Sequence, residues 1–514
     1  MAASQLSRRE ALKLATATTA AFCGSATIGI NHNTVHAASS RRRRRPRNII
    51  FMVSDGMSMS VPTLTDSFAR IVRGSDQQSH WTALMTDIEA VHGLEQTFSL
   101  NSLVTDSAAA ASAWGSGSHV ANGAVNMLPD GTKLTPIVEL VKQSGRKVGL
   151  VTTTRVTHAT PAGFAAIETR RTHEDEIAPQ YRDVVDVLLG GGLAQFDPKQ
   201  REDKRDLLNN YKQSGYSFWS HRDQLLSDER PKRVLGLFAD NFLPYTLDQA
   251  QSAEDIANIP TLAEMTAKAI QILNAHADGF LVQIEGGRVD HAAHGNDAGA
   301  MFWDQLAFDD AIGVALNFAR QRDDTLVIIT SDHGTANPAL NGWGSGYIDS
   351  NEHFARLANV TGSFNTIVQR IHDEAGEGDP DADLVADVVK TYIDMDVSTE
   401  HAQSLANTIA TGERPEAINQ QMTHPGGVLG QIVGNHTGIH FTGHTHTADH
   451  VICSAYGPGS ERFAGLRPNT DDFRQIMDLF EIDYQNPSRS PNEPWRQSLS
   501  FAPRRTKIFS ELST

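Results

Sequence analysis

The chain has 514 residues, 39% hydrophobic and 20% charged, with 40 glycines and 20 prolines; this excludes a disordered, collagen-like or polytopic membrane chain and allows one large α/β unit or roughly three domains. Asp and Glu (61) outnumber Lys and Arg (44), for a formal net charge of −17, so general nucleic-acid binding is excluded and any affinity for phosphate has to be local. The two cysteines, Cys23 and Cys453, cannot build a disulfide framework.

Residues 1–38 read as a twin-arginine-type signal peptide. Ser7-Arg8-Arg9-Glu10-Ala11-Leu12-Lys13 precedes a mildly apolar stretch from Leu14 to Ile30 and the small-residue cleavage pattern Val35-His36-Ala37. Thr, Ser and Gly dilute that stretch below the about 20 strongly apolar residues of a membrane anchor. The expectation is export to the periplasm or beyond, with no stable membrane anchor. Arg41 to Arg45 ahead of Pro46 make residues 39–46 an arginine-rich, solvated linker.

Residues 47–485 form the globular body. Four short apolar runs, rich in β-branched residues, predict strands: Asn48 to Asp55, Val148 to Thr153, Gly279 to Glu285 and Thr325 to Asp332. Near-continuous hydrophobicity marks strands covered on both faces, as in a parallel sheet, and helical patterns at Thr261 to His276 and Gly299 to Arg320 lie between them. The fold class is therefore α/β. Ligands of such sheets bind beyond the carboxyl ends of the strands, where Asp55, Glu285 and Asp332 fall.

Val104 to Trp114 places an alanine run, a strong helix former, after Asp106 and Ser107, one of which stands in its first turn. Amides at that N-terminus favour an alkoxide and bind phosphate. No general base adjoins Ser107, so its activation would have to come from a metal. No Gly-x-Ser-x-Gly elbow surrounds it either, which argues against a Ser/His/Asp esterase.

In Glu285-Gly286-Gly287-Arg288-Val289-Asp290-His291-Ala292-Ala293-His294, a helix beginning after Val289 puts Asp290 and His294 on one face. Asp332-His333-Gly334 adds a second carboxylate and imidazole pair, which reaches one ion only where the strand has turned, as Gly334 permits. Mixed His and carboxylate ligands suit Zn²⁺. Residues 337–430, rich in Gly, Asn and Asp, read as an inserted subdomain with helices at Phe354 to Val360, Asp383 to Met395 and Glu400 to Thr411. Phe441 to Val451 offers His444, His446 and His450, and residues 486–514 read as a C-terminal tail.

With these motifs in this order, the chain resembles the alkaline phosphatase family from Arg47 to about Leu466. The resemblance implies a three-layer α/β/α sandwich with a mostly parallel central sheet. It also implies a homodimer that hydrolyses small-molecule phosphate monoesters through a phosphoserine, using two Zn²⁺ and one Mg²⁺. Matched motif by motif, Ser107 in Thr105-Asp106-Ser107-Ala108 corresponds to the nucleophile. Asp290 and His294 correspond to first-zinc ligands, Asp332 and His333 to the second-zinc pair, and Asp55 to the carboxylate shared between the second zinc and magnesium. Glu285 and Thr160, the latter in His158-Ala159-Thr160-Pro161, correspond to magnesium ligands. The family's spacing selects His446 as the last first-zinc ligand, with His444 as the alternative. It likewise selects Arg171 over Arg170 as the phosphate clamp. His158 and His291 stand beside the site, in a pattern that resembles animal members more than the best-studied bacterial ones. A sulfatase is disfavoured by the alanines after Ser107 and a phosphodiesterase by Arg171; a non-catalytic phosphate- or metal-binding module would have no use for Ser107.

Overall fold

The computed structural model describes residues 45–414 and 417–489. The signal peptide read over residues 1–38, linker residues 39–44 and residues 490–514 of the tail lie outside the described residues.

Each of the four apolar runs forms a strand, and six further strands complete the central sheet. Its members are β1 (Asn48–Ser54), β2 (Ala90–Gln96), β3 (Lys147–Arg155), β4 (Val187–Gly191), β5 (Ser217–Trp219), β6 (Val234–Leu237), β7 (Phe280–Gly286), β8 (Thr325–Thr330), β9 (Val451–Tyr456) and β10 (Gly465–Pro468). Their order is β10-β2-β9-β8-β1-β7-β3-β4-β6-β5. Within this sheet β9 alone runs against the others, antiparallel to both β2 and β8.

The main helices are α1 (Val61–Arg73), α2 (Ser107–Ser116), α3 (Ala159–Ala165), α4 (Leu262–Leu273), α5 (Arg288–His294), α6 (Ala298–Arg320), α7 (Phe364–Ala375), α8 (Ala382–Ile393), α9 (Thr399–Thr411), α10 (Pro425–Thr437) and α11 (Thr470–Phe480). Side chains alternate across β1. Ile50 and Met52 enter the core beneath α1, α4 and α6, whereas Ile49, Phe51 and Val53 enter the core beneath α2, α3 and α11. Helices thus cover both faces, and the molecule is a three-layer α/β/α sandwich.

The segment between β8 and β9 supplies α7 to α10. Its buried Phe364, Ile367, Val385, Leu405 and Leu429 join the same core as α4 and α6. Among the described residues no helix is long and apolar enough to cross a membrane.

One packing contact positions the site directly. Helices α2 and α3 lie so close that a Cβ on Gly115 would stand 1.8 Å from the Gly163 carbonyl oxygen. Gly115→Ala is expected to cost about 3 kcal/mol, the upper end for overpacking a close contact, because backbone rather than a flexible side chain must yield. A lowered thermal midpoint checks this; an unchanged midpoint would mean that the helices can separate freely.

Candidate active site

Strands β8, β1 and β7 are adjacent, so their carboxyl ends bring Asp332, Asp55 and Glu285 side by side, all fully buried. Asp332 Oδ1 accepts the backbone N–H groups of Gly56 and His333, both at 3.0 Å. Gly56 has φ +69°, and a Cβ there would stand 2.6 Å from Asp290 Cβ. Glycine therefore lets the loop after β1 touch α5. Glu285 Oε2 accepts from Thr152 Oγ1 and, at 3.3 Å, from Thr154 Oγ1, two threonines near the end of β3.

Helix α5 starts at Arg288, slightly earlier than the sequence pattern predicts, and keeps Asp290 and His294 one turn apart. His294 Nε2 lies 3.3 Å from Asp290 Oδ2 and 3.1 Å from His446 Nε2. His446 reaches this point because His446–Thr447 pairs antiparallel with Gly334–Thr335, which stacks its ring 3.6 Å from that of His333. Main-chain carbonyls orient both outer imidazoles: His294 Nδ1–H donates to His444 O at 2.5 Å, and His446 Nδ1–H to Thr105 O at 2.8 Å. The His444 ring instead lies 4.7 Å from that of His424.

Gly334 acts differently from its expected role. The left-handed residues of this turn are Ala336 (φ 56°) and Asn337 (φ 48°). At Gly334 a Cβ would meet Thr447 Oγ1 at 2.7 Å and Ser58 Oγ at 2.9 Å. Close approach of the His446–Thr447 segment is what requires glycine there.

Asp106 is the N-cap of α2, accepting from Ala109 N at 2.9 Å, and Ser107 is the first helical residue. Ser107 Oγ lies 3.2 Å from His333 Nε2. Arg171 Nη1 donates to Asp106 Oδ2 at 3.2 Å and Nη2 to His158 Nε2 at 3.0 Å, which holds the guanidinium beside the start of α2. Arg170 is exposed. The His158 and His291 rings are 5.6 Å apart, and Arg288 Nη1 donates to His291 Nδ1 at 2.7 Å. Asp106 thus both caps α2 and accepts from Arg171, 65 positions away; the local signal, an acid ahead of an alanine run, gives only the cap.

Among the described residues, three sets of side chains bring ligand atoms within 4.8 Å of one another: Asp290 with His333 and His446, Asp55 with Asp332 and His333, and Asp55 with His158 and Glu285. Both oxygens of Asp55, Oδ2 of Asp332, Oε1 of Glu285 and Oγ1 of Thr160 are buried without a hydrogen-bond partner. Leaving five such oxygens dry costs free energy unless a cation satisfies them. The donor set fits divalent metals, with imidazole and carboxylate in two groups and a carboxylate-rich third beside Thr160.

The charges show the same need. Burial, then repulsion from Asp332, Asp290 and Glu285, pushes the Asp55 carboxyl well above its usual range. Burial, opposed by the Thr152 hydroxyl, pushes Glu285 up to about 7. Burial would also raise Asp290, but the neighbouring His294 outweighs it and holds that carboxyl well below the usual range. His446 is pushed down to about 3 by burial and then by His333. Burial would lower His294 too, but the Asp290 carboxylate outweighs it and raises that imidazole, whereas His446 is left neutral, the form that a metal binds.

A family model described as alkaline phosphatase matches residues 46–482. "Alkaline phosphatase 4" of Bacillus subtilis is 30% identical over 454 residues, covering 87% of this chain and 91% of its own length. The solved alkaline phosphatase of Thermus thermophilus shares 32% identity at a TM-score of 0.81, covering 92% of this chain and 100% of that one. A variant of the alkaline phosphatase from the Antarctic bacterium TAB5, solved with Mg bound in its M3 site, matches at 25% identity and a TM-score of 0.59, covering 86% of this chain and 100% of that one.

Proposed function

Because the chain belongs to the alkaline phosphatase family, whose members hydrolyse phosphate monoesters, we propose that it does so through a phosphoserine formed on Ser107. The observation that carries this reading is the contact between Ser107 Oγ and His333 Nε2 at 3.2 Å, beside buried carboxylate oxygens that lack donors. Asp290, His294 and His446 would hold one Zn²⁺. Asp55, Asp332 and His333, with Ser107, would hold a second, and Asp55, Glu285 and Thr160, with His158 beside them, would hold Mg²⁺. A variant TAB5 enzyme in which a histidine is replaced by glutamate, solved with Mg bound, supports Mg²⁺ as one of the metals by similarity. Bound there, these cations supply positive charge that favours the serine alkoxide and stabilises the departing alcohol.

The protein's own groups do the rest. Ser107 Oγ gives its proton up to solvent and forms a bond to phosphorus as the ester P–O bond breaks, and the alcohol leaves with a proton taken from solvent. Arg171 presents two N–H donors to the non-bridging oxygens, and Asp106 keeps its fork aimed at the start of α2. The phosphoryl group then rests at the N-terminus of α2, where amides and helix dipole favour it. Attack by water frees Ser107 and releases inorganic phosphate.

Acid quenching during turnover tests this, because the reading requires one phosphoryl group on the peptide containing Ser107; a turning-over enzyme without that modification would refute it. Arg171→Ala is expected to lower kcat/KM about 10²- to 10³-fold and to weaken inhibition by inorganic phosphate. Arg170→Ala should change neither by more than about twofold, in line with its exposed position. Equal effects at the two positions would remove Arg171 from the clamp. The same reading takes the chain as exported and homodimeric.

A further inference from the structure

The chemistry above makes no use of a buried ionic cluster at the other end of α2. Arg467 on β10 donates Nη2–H to Glu95 Oε1 at 3.1 Å and Nη1–H to Asp472 Oδ1 at 2.5 Å. Cys453 Sγ on β9 lies 3.5 Å from the same Nη2. Both carboxylates are fully buried and Arg467 nearly so. The second oxygen of Glu95, Oε2, accepts the indole Nε1–H of Trp114 at 3.2 Å. Two acids, one guanidinium and an indole are thus joined by strands β2 and β10 and helices α2 and α11. Buried ion pairs are a poor source of stability, so a cluster of this kind calls for another reason to exist.

Trp114 follows Ser107 by seven residues on α2. At about 100° per residue two turns return to within about 20° of the starting direction, so both side chains leave the same face of the helix. The Trp114 ring also meets Phe51 of β1 edge-on at 5.2 Å, and Asp55 follows directly after the last residue of that strand. A different face of α2 is held by Asn126 N–H, which donates to Ser112 Oγ at 2.9 Å. Asp106 fixes where the helix begins along its axis. The two off-axis bonds act together against rotation of the helix.

We propose that Glu95, braced by Arg467, is a positioning residue that sets the roll of α2 through Trp114 and so aims Ser107 Oγ at phosphorus. This rests on Ser107 being the nucleophile. With Cα atoms about 2.3 Å from the axis, a roll of about 25° carries the Ser107 Cα about 1 Å, and its Oγ farther. A misplacement of about 1 Å at a reacting atom can cost on the order of 10²-fold in rate. Glu95 also faces Val451, the first residue of β9, in the strand register. One hub therefore braces both the nucleophile's helix and the strand that follows the His446 segment.

Trp114→Phe removes the N–H and keeps a ring against Phe51. In the metal-loaded enzyme, rapid-quench measurement with a chromogenic aryl phosphate is expected to show Ser107 phosphorylated about tenfold more slowly. Metal content and the inhibition constant of inorganic phosphate should stay within about twofold of wild type, which separates misaiming from a damaged pocket. Arg467→Lys loosens Glu95 without touching α2 and should slow the same step by a smaller factor, so the test does not depend on one variant folding. Asp472→Asn alters the same cluster but leaves the indole bond, and should phosphorylate within about twofold of wild type. A wild-type phosphorylation rate in Trp114→Phe, or an Asp472→Asn defect as large as that of Trp114→Phe, would overturn the proposal. Absence of phosphoserine on Ser107 in the wild-type quench would instead overturn the nucleophile reading beneath it.

Discussion

Ser107→Ala is expected to lower kcat/KM by at least about 10³-fold and to abolish the acid-stable phosphoenzyme, since deleting a hydrolase nucleophile can cost about 10⁶-fold. The variant should fold normally. Asp106, not Ser107, caps α2, so the hydrogen bond to Ala109 survives, and alanine is at least as good a helix former as serine at the first helical position. Ser107 is 1% exposed, and its Oγ contacts His333, so removing one oxygen leaves a small gap and keeps Asp55, Asp332 and His333 in place to hold the second cation. The two findings belong together: lost activity with an unchanged thermal midpoint and unchanged metal content. Full activity in Ser107→Ala would end the phosphoserine reading.

Chelation is expected to have the second large effect, on stability as well as rate. Without cations the protein must fold around Asp55 and Glu285, both pushed up by burial, Glu285 to about 7. A carboxyl whose folded pKa exceeds its unfolded value, about 4.3 for Glu, binds more protons when folded. Its stabilising protonation is complete below about pH 4 and is lost as the pH rises through about 7, on the order of 4 kcal/mol for Glu285 at about 1.36 kcal/mol per unit. Asp290 has the opposite sign, because its depressed pKa contributes stability above about pH 4 that is lost in acid. His446, pushed down to about 3, stays neutral over pH 5 to 8 with or without metal and cancels between the two forms, so the Asp55 and Glu285 effect governs the difference between them in that range. Cations bind only the folded pocket and cancel the repulsion, adding about 2.7 kcal/mol at a hundred times their dissociation constant. Asp297 and Asp304, each pushed up to about 7 by burial, titrate alike in both forms and drop out of the comparison. The gap in thermal midpoint between metal-loaded and chelated protein should widen from pH 5 to pH 8; a gap that narrows would contradict this placement of the carboxylates.

Much of the site is legible in local sequence because its acids end apolar strands. Asp55, Glu285 and Asp332 each follow or close a run that only a doubly covered parallel strand accommodates. The Asp290 and His294 pair is legible from helical spacing. The three layers follow from strands alternating with helical patterns, whereas β5, three residues long, and β10, which ends in Pro468, are too short to signal themselves. In the 337–430 segment, α8 and α9 sit within a residue or two of their expected positions, and Phe354 to Val360 becomes a short helix, Ser350–Ala355, running into a 3₁₀ turn. Helix α7 is missing from the sequence reading although Ser363 caps it and Phe364, Ile367 and Ile371 mark its face.

Helix α10 is hidden for a physical reason. Its glycines lower helical propensity but permit contact: a Cβ on Gly430 would stand 2.7 Å from Asn296 Cβ, and one on Gly434 2.7 Å from the Ile439 carbonyl oxygen. The pairings that complete the site carry no local signal. His446 lies beside Thr335 through a two-residue ladder, Arg171 finds Asp106 and His158, and Thr335 Oγ1 donates to Asp290 Oδ1 at 2.6 Å. Each joins segments that only the folded sheet brings together. Family resemblance, rather than spacing within this chain, distinguishes His446 from His444 and Arg171 from Arg170.

The most direct test is diffraction from crystals grown with Zn²⁺, Mg²⁺ and phosphate, with data collected on both sides of the zinc absorption edge. Two zinc peaks roughly 4 Å apart should flank Ser107 Oγ, one among Asp290, His294 and His446 and the other among Asp55, Asp332 and His333. Zinc bound elsewhere, with these side chains unliganded around a phosphate-free Ser107, would contradict the central claim that these distant segments converge to hold cations around one hydroxyl.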